Sequence, residues 1–255
     1  MPLSSQKYRS HDYKFLVQRW KKICQKSGLK MRKILVLDNF PCFEVCSPKL
    51  AKKDIIYFSA GIHGDESGST EGLLAWAQSN LGKLQSLPLL IYPCLNPWGL
   101  VNNSRFDASG IDMNRIWANS KNILIQHILN RTKDLHFETV INLHEDFDGQ
   151  GVYLYEPSRG GRPSKKAESI MNAASAFIHV DPRRTIDGRK ATNGIIRPRP
   201  SNPPKEGIPE ALHFYLKHQC RTFTFETPSE FDLELRVQAH VAMIEEIFNL
   251  NPSCV

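Results

Sequence analysis

Ile55-Ile56-Tyr57-Phe58-Ser59-Ala60-Gly61-Ile62-His63-Gly64-Asp65-Glu66 runs from a β-branched and aromatic segment through a glycine turn to a histidine and a carboxylate three residues apart. Ile55–Ser59 predicts a buried strand, and Gly61 the turn that ends it. A second apolar run, Thr139–Leu143, leads directly into His144. Histidines just beyond two buried strands point to an open α/β sheet, whose carboxyl edge is where such sheets gather ligands. An imidazole and a carboxylate at HxxE spacing reach one metal ion. A third ligand then has to come from elsewhere in the chain, and zinc hydrolases keep the fourth position open for water. Taken singly, His63 reads better as a turn histidine hydrogen-bonded to the backbone, and His144 as a satisfied strand-end histidine.

Outward from this stretch, Tyr13, Leu16, Val17, Trp20, Ile23 and Cys24 recur at helical spacing and stop at Ser27-Gly28, which predicts an amphipathic helix. Short strands are predicted at Ile34–Leu37, Phe43–Val45, Val152–Tyr155 and Arg221–Phe225, and over Leu89–Leu95 with a break at Pro93. Asn96-Pro97-Trp98-Gly99 reads as a turn. Helices are predicted over 68–78, 121–131, 163–179, 209–218 and 230–249. This alternation, without repeats or low-complexity tracts, predicts a single α/β domain with a mixed central sheet flanked by helices. The expected organisation is an N-terminal helix within 1–30 packing on a main domain over 31–255.

The chain has 255 residues, 41% hydrophobic and 23% charged, which excludes wholesale disorder. Cysteines 24, 42, 46, 94, 220 and 254 contain no CxxC pair, so neither a disulfide scaffold nor a zinc finger is expected. No apolar run is long enough to span a membrane. The first thirty residues carry Lys7, Arg9, Lys14, Arg19, Lys21 and Lys22 without an apolar core. The expectation is therefore a cytoplasmic protein with free thiols, no signal segment and no membrane partner. The net charge is +7. Between Pro182 and Lys205, seven basic residues stand against the single acid Asp187, so nearly all of that charge sits in one segment with five prolines. The segment reads as a loop, either merely solvated or beside the site. It holds no aromatic residue, so nucleic acid is not an expected partner.

The remaining motifs come in a fixed order. After the HxxE pair come Asn96-Pro97-Trp98-Gly99, Arg105, Asp112-Met113-Asn114-Arg115, His144, and Thr222-Phe223-Thr224-Phe225-Glu226-Thr227-Pro228. The set resembles the zinc carboxypeptidase family typified by carboxypeptidase A, over roughly 55–250, and its motif spacing is most similar to compact bacterial members such as murein peptide amidases. The resemblance implies a zinc carboxypeptidase-like fold and one zinc ion held by His63, Glu66 and His144. Asp112 would fix the His63 ring, Asn114 and Arg115 would bind a substrate carboxylate, and Arg105 would stabilise the oxyanion. Glu226 would act as the general base. The implied activity is hydrolysis of the C-terminal amide bond of a small peptide or peptidoglycan-type peptide bearing a free carboxylate.

The chain departs from that pattern in three places. No tyrosine lies between Tyr155 and Tyr215, so the lid tyrosine of the digestive members has no counterpart. Ile116-Trp117-Ala118 replaces the usual Asn-Phe-Pro after the DxNR box. His144 is followed by Glu145, Asp146 and Asp148, which read as solvated or as support for the metal ligands. The alternative is a zinc-dependent deacylase of N-acyl amino acids, like succinylglutamate desuccinylase and aspartoacylase. These share the zinc site, and the missing Phe-Pro-Gly after Arg115 leans against them. A catalytically dead binding module is disfavoured by the presence of Glu226. The basic 182–205 segment is expected to draw anionic substrates toward the metal. Trp98 and Trp117 are expected in the core or beside the site, and Cys94 and Cys220 as buried, inert thiols.

Overall fold

Four apolar strands lie parallel through the middle of the molecule, each too hydrophobic to face water on either side. They are β3 (Ile55–Ala60), β4 (Leu89–Tyr92), β5 (Phe137–Asp146) and β10 (Arg221–Pro228), neighbours in the order β4-β3-β5-β10. The computed structural model describes residues 8–249 apart from 49, 119, 159–161 and 202–203; Lys7 and Cys254 lie outside the described residues. On one side β2 (Phe40–Cys46) pairs antiparallel with β4, and β1 (Lys30–Leu37) pairs antiparallel with β2 at the edge. On the other, β6 (Tyr153–Tyr155) pairs antiparallel with β10. Beyond it follow β9 (Ile195–Ile196), β8 (Arg189–Thr192) and β7 (Thr185–Ile186), giving a mixed ten-stranded sheet.

Side chains alternate across a strand, so each central strand feeds two cores. Phe58, Ile141, Leu143, Phe223 and Phe225 face one core. It is completed by α1 (Tyr13–Ser27), α2 (Ser67–Ser79), α5 (Lys165–Ala174) and α7 (Leu233–Phe248). Ile55, Tyr57 and Val140 face the other, which also takes in Trp117. That side is covered by α4 (Ile123–Thr132) and α6 (Glu210–His218). Trp76 packs 5.1 Å from Phe58 on the first side, and Phe214 4.6 Å from Tyr57 on the second. The alternation has a functional result. His144 and Glu226 emerge on the α6 side, whereas Glu145 and Thr227 emerge on the α2 and α7 side.

The predicted α1 forms, with Asp12 accepting the Phe15 N–H and Gly28 closing the helix at φ 75°. Two expectations change. Asn96-Pro97-Trp98-Gly99 opens a short helix, α3 (Pro97–Asn102), because Asn96 caps it by accepting the Gly99 N–H. The 182–205 segment is not all loop: it contributes β7, β8 and β9. Glycines at positive φ, Gly188 and Gly194, make its two turns, and the β-branched Thr185, Ile186, Ile195 and Ile196 supply strand residues. Two of its arginines are engaged by acids, Arg183 with Asp181 and Asp146 and Arg197 with Glu156. Those two charges hold the segment in place, which narrows the expected attraction of anions to the other basic residues, of which Arg184, Lys190, Arg199 and Lys205 are exposed.

Between the sheet and α6 lies a fully buried carboxylate absent from the sequence reading. Glu210 accepts hydrogen bonds from the Tyr57 hydroxyl at 2.5 Å and the Ser59 hydroxyl at 2.9 Å. Burial raises its pKa to about 7. A carboxyl whose folded pKa lies above its unfolded value gives up stability as pH climbs from the ordinary glutamate range through 7. Glu210→Gln is expected to flatten that decline, recovering up to about 3 kcal/mol at pH 8 and little at pH 4. Urea unfolding at the two pH values measures it, and an identical pH dependence in wild type and variant would refute it.

Candidate metal centre

The strand β3 ends at Ala60, and Gly61 at φ 60° turns the chain so that His63 and Glu66 face back over the sheet edge. The two loops at this edge touch closely. Gly64 has no room for a Cβ against the Gly99–Leu100 backbone, and its N–H is held by the Ser104 carbonyl at 2.9 Å. Asn96, whose oxygen caps α3, donates through its amide to the Phe106 carbonyl. The NPxG segment thus braces residues 104–106, and Arg105 with them, against the HxxE turn.

His63, Glu66 and His144 converge in a buried cluster whose candidate ligand atoms all lie within 4.8 Å of one another. His63 Nδ1 is 2.5 Å from Glu66 Oε1, and His144 Nδ1 is 2.9 Å from Glu66 Oε2. The Oε2 atom is buried without a hydrogen-bond partner among the described residues. Two ring nitrogens turned onto one carboxylate, one of whose oxygens lacks a hydrogen bond, form the N,N,O set that suits a borderline metal such as zinc. His63 Nε2 donates to Asp112 Oδ1 at 3.0 Å, the outer contact that fixes a ligand histidine.

The charges reinforce this arrangement. Burial works to raise the Glu66 pKa, but the two adjacent imidazoles outweigh it and hold the carboxylate far below its usual range. Burial pulls His63 down, and the Glu66 and Asp112 carboxylates more than compensate, so its net shift is upward. For His144 burial prevails and lowers the pKa, which favours the neutral form a metal ligand needs.

Arg105 donates from Nε and Nη2 to Asp112 Oδ2 at 3.2 and 3.0 Å, and its Nη1 lies 3.8 Å from Glu66. Asn114 is buried; its oxygen accepts the Glu210 N–H at 2.9 Å, and its amide lies 3.5 Å from His144 Nε2. Arg115 bonds the Asn114 carbonyl through Nη1 and lines the same cavity. Glu226 is the register partner of His144 across β10 and β5. Its carboxylate lines the cavity without a hydrogen bond among the described residues. Burial, and then repulsion from Glu66, raise its pKa well above the ordinary value. All eight residues singled out in the sequence therefore meet around one cavity of about 620 Å³, seven along its wall and Asp112 behind His63.

The acids after His144 take three different places. Glu145 is not solvated: it is buried, bonded at 2.8 Å through both oxygens to Arg236, and accepts from Gly68 N–H and the Thr227 hydroxyl. Gly68 leaves room for that carboxylate, which a Cβ would strike. Asp146 accepts from the Tyr153 hydroxyl and Arg183, and Asp148 is exposed. Trp117 is fully buried in the core, and Trp98 does not reach the cavity. Cys94 and Cys220 are buried, with thiol pKa values raised by burial. The sequence reading missed Glu210, Asn142, Thr224, Tyr153 and Tyr155. Period-two alternation back from His144 and Glu226 would have placed Asn142 and Thr224 on the same face as the site.

Residues 52–179 match the model of the succinylglutamate desuccinylase/aspartoacylase catalytic domain, just over half of the chain. The chain belongs to this family. Members of the family and the carboxypeptidases share a superfamily, and the solved structures show the same fold. A candidate metallopeptidase of Shewanella denitrificans matches with TM-score 0.82 at 19% identity, covering 96% of this chain and 91% of its own. One from Shewanella amazonensis matches with TM-score 0.82 at 20% identity, covering 94% and 93%. A metallo-carboxypeptidase of Burkholderia cenocepacia matches with TM-score 0.69 at 13% identity, covering 92% and 68%. No curated protein matches the chain. The family match removes the weight that the missing Phe-Pro-Gly carried against the deacylase relatives. Among the described residues no helix is long and apolar enough to cross a membrane.

Asp112→Asn, which keeps the shape but loses the anionic acceptor, is expected to weaken metal binding about 10–100-fold. His63→Ala should abolish stoichiometric binding. Competition with a chromophoric chelator measures both. Unchanged affinity in Asp112→Asn would remove Asp112 from its supporting role.

Proposed function

We propose that this protein is a zinc-dependent hydrolase that cleaves the amide bond joining a small acyl or peptidyl group to a carboxylate-bearing amino acid, acting as a metallocarboxypeptidase on short peptides. The observation that carries the reading is the position of Glu226: buried, without a hydrogen bond among the described residues, and beside His144 in register, at the wall of the cavity that holds His63 and Glu66. A cavity of about 620 Å³ is within the range that takes one small ligand.

A zinc ion held by His63, Glu66 and His144 would supply Lewis acidity and make water nucleophilic near neutral pH. The chain's own groups account for the rest. Arg115, with the Asn114 amide beside it, pairs the substrate carboxylate in the fork geometry that suits a guanidinium. Because the Asn114 oxygen is already held by the Glu210 N–H, its amide donors face the cavity. Arg105, anchored by Asp112, offers Nη1 to the carbonyl oxygen as negative charge grows there, a contribution of about 2.7–4 kcal/mol for one such donor. Glu226 accepts a proton from the attacking water. The water oxygen bonds to the carbonyl carbon, the C–N bond breaks, and the same carboxyl returns the proton to the leaving amine.

A second reading, deacylation of an N-acyl amino acid, is favoured by the family match over residues 52–179. The two readings differ only in what lies on the acyl side of the bond. Dipeptides set against N-acetyl and N-succinyl amino acids, with zinc present and with chelator, separate them. Chelation is expected to abolish turnover and zinc to restore it. Glu226→Gln should lower kcat by about 10²–10⁴ while zinc content stays stoichiometric. A variant as fast as wild type would remove Glu226 as the base, and the mechanism with it.

A further inference from the structure

Beneath the metal cluster the cavity has a polar floor. Ser59, Asn142, Thr224 and Tyr155 are register partners across β3, β5, β10 and β6, two residues before the row that carries His144, Glu226 and, on β6 running the other way, Tyr153. Two residues along a strand is about 6.6 Å, the depth of one amino-acid side chain below the reacting bond. Asn142, Thr224 and Tyr155 all line the cavity.

The orientation of Asn142 is fixed from behind. Glu210 accepts the Ser59 hydroxyl proton at 2.9 Å, so the Ser59 oxygen is left to accept from Asn142 Nδ2 at 2.8 Å. That chain of donors turns the amide oxygen the other way. Asn142 is 1% exposed, and its Oδ1 is buried without a hydrogen-bond partner among the described residues. Buried acceptors of this kind are satisfied by water or by a ligand, and a ligand group that replaces the water has to donate in its place. Beside it the Thr224 hydroxyl has no partner among the described residues, and further up the same wall the Tyr155 hydroxyl is turned to Asp187 Oδ2 at 2.5 Å. An apolar side chain would leave Oδ1 stranded. A carboxylate would set lone pairs against it, with Glu226 on the same wall.

We propose that Asn142, with Thr224, is the specificity determinant of this site and selects substrates whose carboxylate-bearing residue has a hydrogen-bond donor on its side chain, a carboxamide or an ammonium, over apolar and acidic ones. This rests on the amide-hydrolase reading for the direction in which the substrate lies. The Ser59–Glu210–Tyr57 chain behind Asn142 makes the acceptor rigid, which is what turns one unpaired atom into discrimination.

The test is calorimetric binding of L-glutamine, L-lysine, L-leucine and L-glutamate to the zinc-reconstituted protein, wild type and Asn142→Leu, with hydrolysis of the four N-acetyl derivatives and of matching dipeptides in parallel. Glutamine or lysine is expected to bind roughly tenfold or more tightly than leucine and glutamate. The two donor arms separate a neutral carboxamide from an ammonium. In Asn142→Leu the gap should close to within about twofold through loss of the donor ligand, with circular dichroism and zinc content unchanged. Should Asn142→Leu fail to fold, Thr224→Val carries the test and should narrow the gap in the same sense. The proposal is overturned if leucine or glutamate binds best to wild type, if the donor preference survives in the folded variants, or if none of the four binds. A donor preference in binding without cleavage of any derivative or dipeptide sinks the amide-hydrolase reading and leaves the pocket assignment standing.

Discussion

Four donors meet on the Asp112 carboxylate, and the site is organised around them. One oxygen takes the His63 ring N–H and the Asn114 backbone N–H, and the other takes two guanidinium N–H groups of Arg105. A single anion thus orients a candidate metal ligand, the candidate oxyanion partner and the 3-10 turn over residues 113–115 that carries Asn114 and Arg115. Burial opposes its charge, and His63 and the flanking arginines overcome that opposition, leaving Asp112 with a pKa far below the usual range.

The family model is that of a deacylase catalytic domain, whereas the structural neighbours are candidate metallopeptidases and metallo-carboxypeptidases. Both readings call for hydrolysis of an amide bond. The cavity floor and the β7–β8 hairpin beside it lie outside the cluster of His63, Glu66, His144 and Glu226. The hairpin turn brings Asp187 to Tyr155, while Arg183 ties the start of the segment to Asp146. The basic residues that dominate the net charge are therefore partly structural, fastening an edge of the sheet beside the cavity.

The sequence exposed the parts of this molecule governed by short-range rules. Apolar runs ending in His63 and His144 located two central strands, and the ordered motifs named eight residues that meet at the cavity, though not Asn142, Thr224, Tyr153 or Tyr155 on the same wall. Three features escaped for physical reasons. The strands β7–β9 are two to four residues long, too short for a periodic signal. The helix α3 depends on a side-chain cap at Asn96 rather than on propensity. Glu210 follows a proline at the start of a helix and carries no motif. Its role comes from Tyr57 and Ser59, about 150 residues away in sequence, contacts that only the fold creates.

The dipeptides His144-Glu145 and Glu226-Thr227 lie side by side on adjacent strands, and in each the first residue faces the cavity while the second faces the opposite helices. The second members bond to each other and to Arg236 on α7 and the Gly68 amide on α2. Slipping either strand by one position would exchange an imidazole for a carboxylate, or a carboxylate for a hydroxyl, at the cavity wall. Pairing between β5 and β10 is in that sense part of the candidate site itself. The Glu145–Arg236 anchor on the far face acts as a lock on alignment, keeping the chemistry in phase with the sheet.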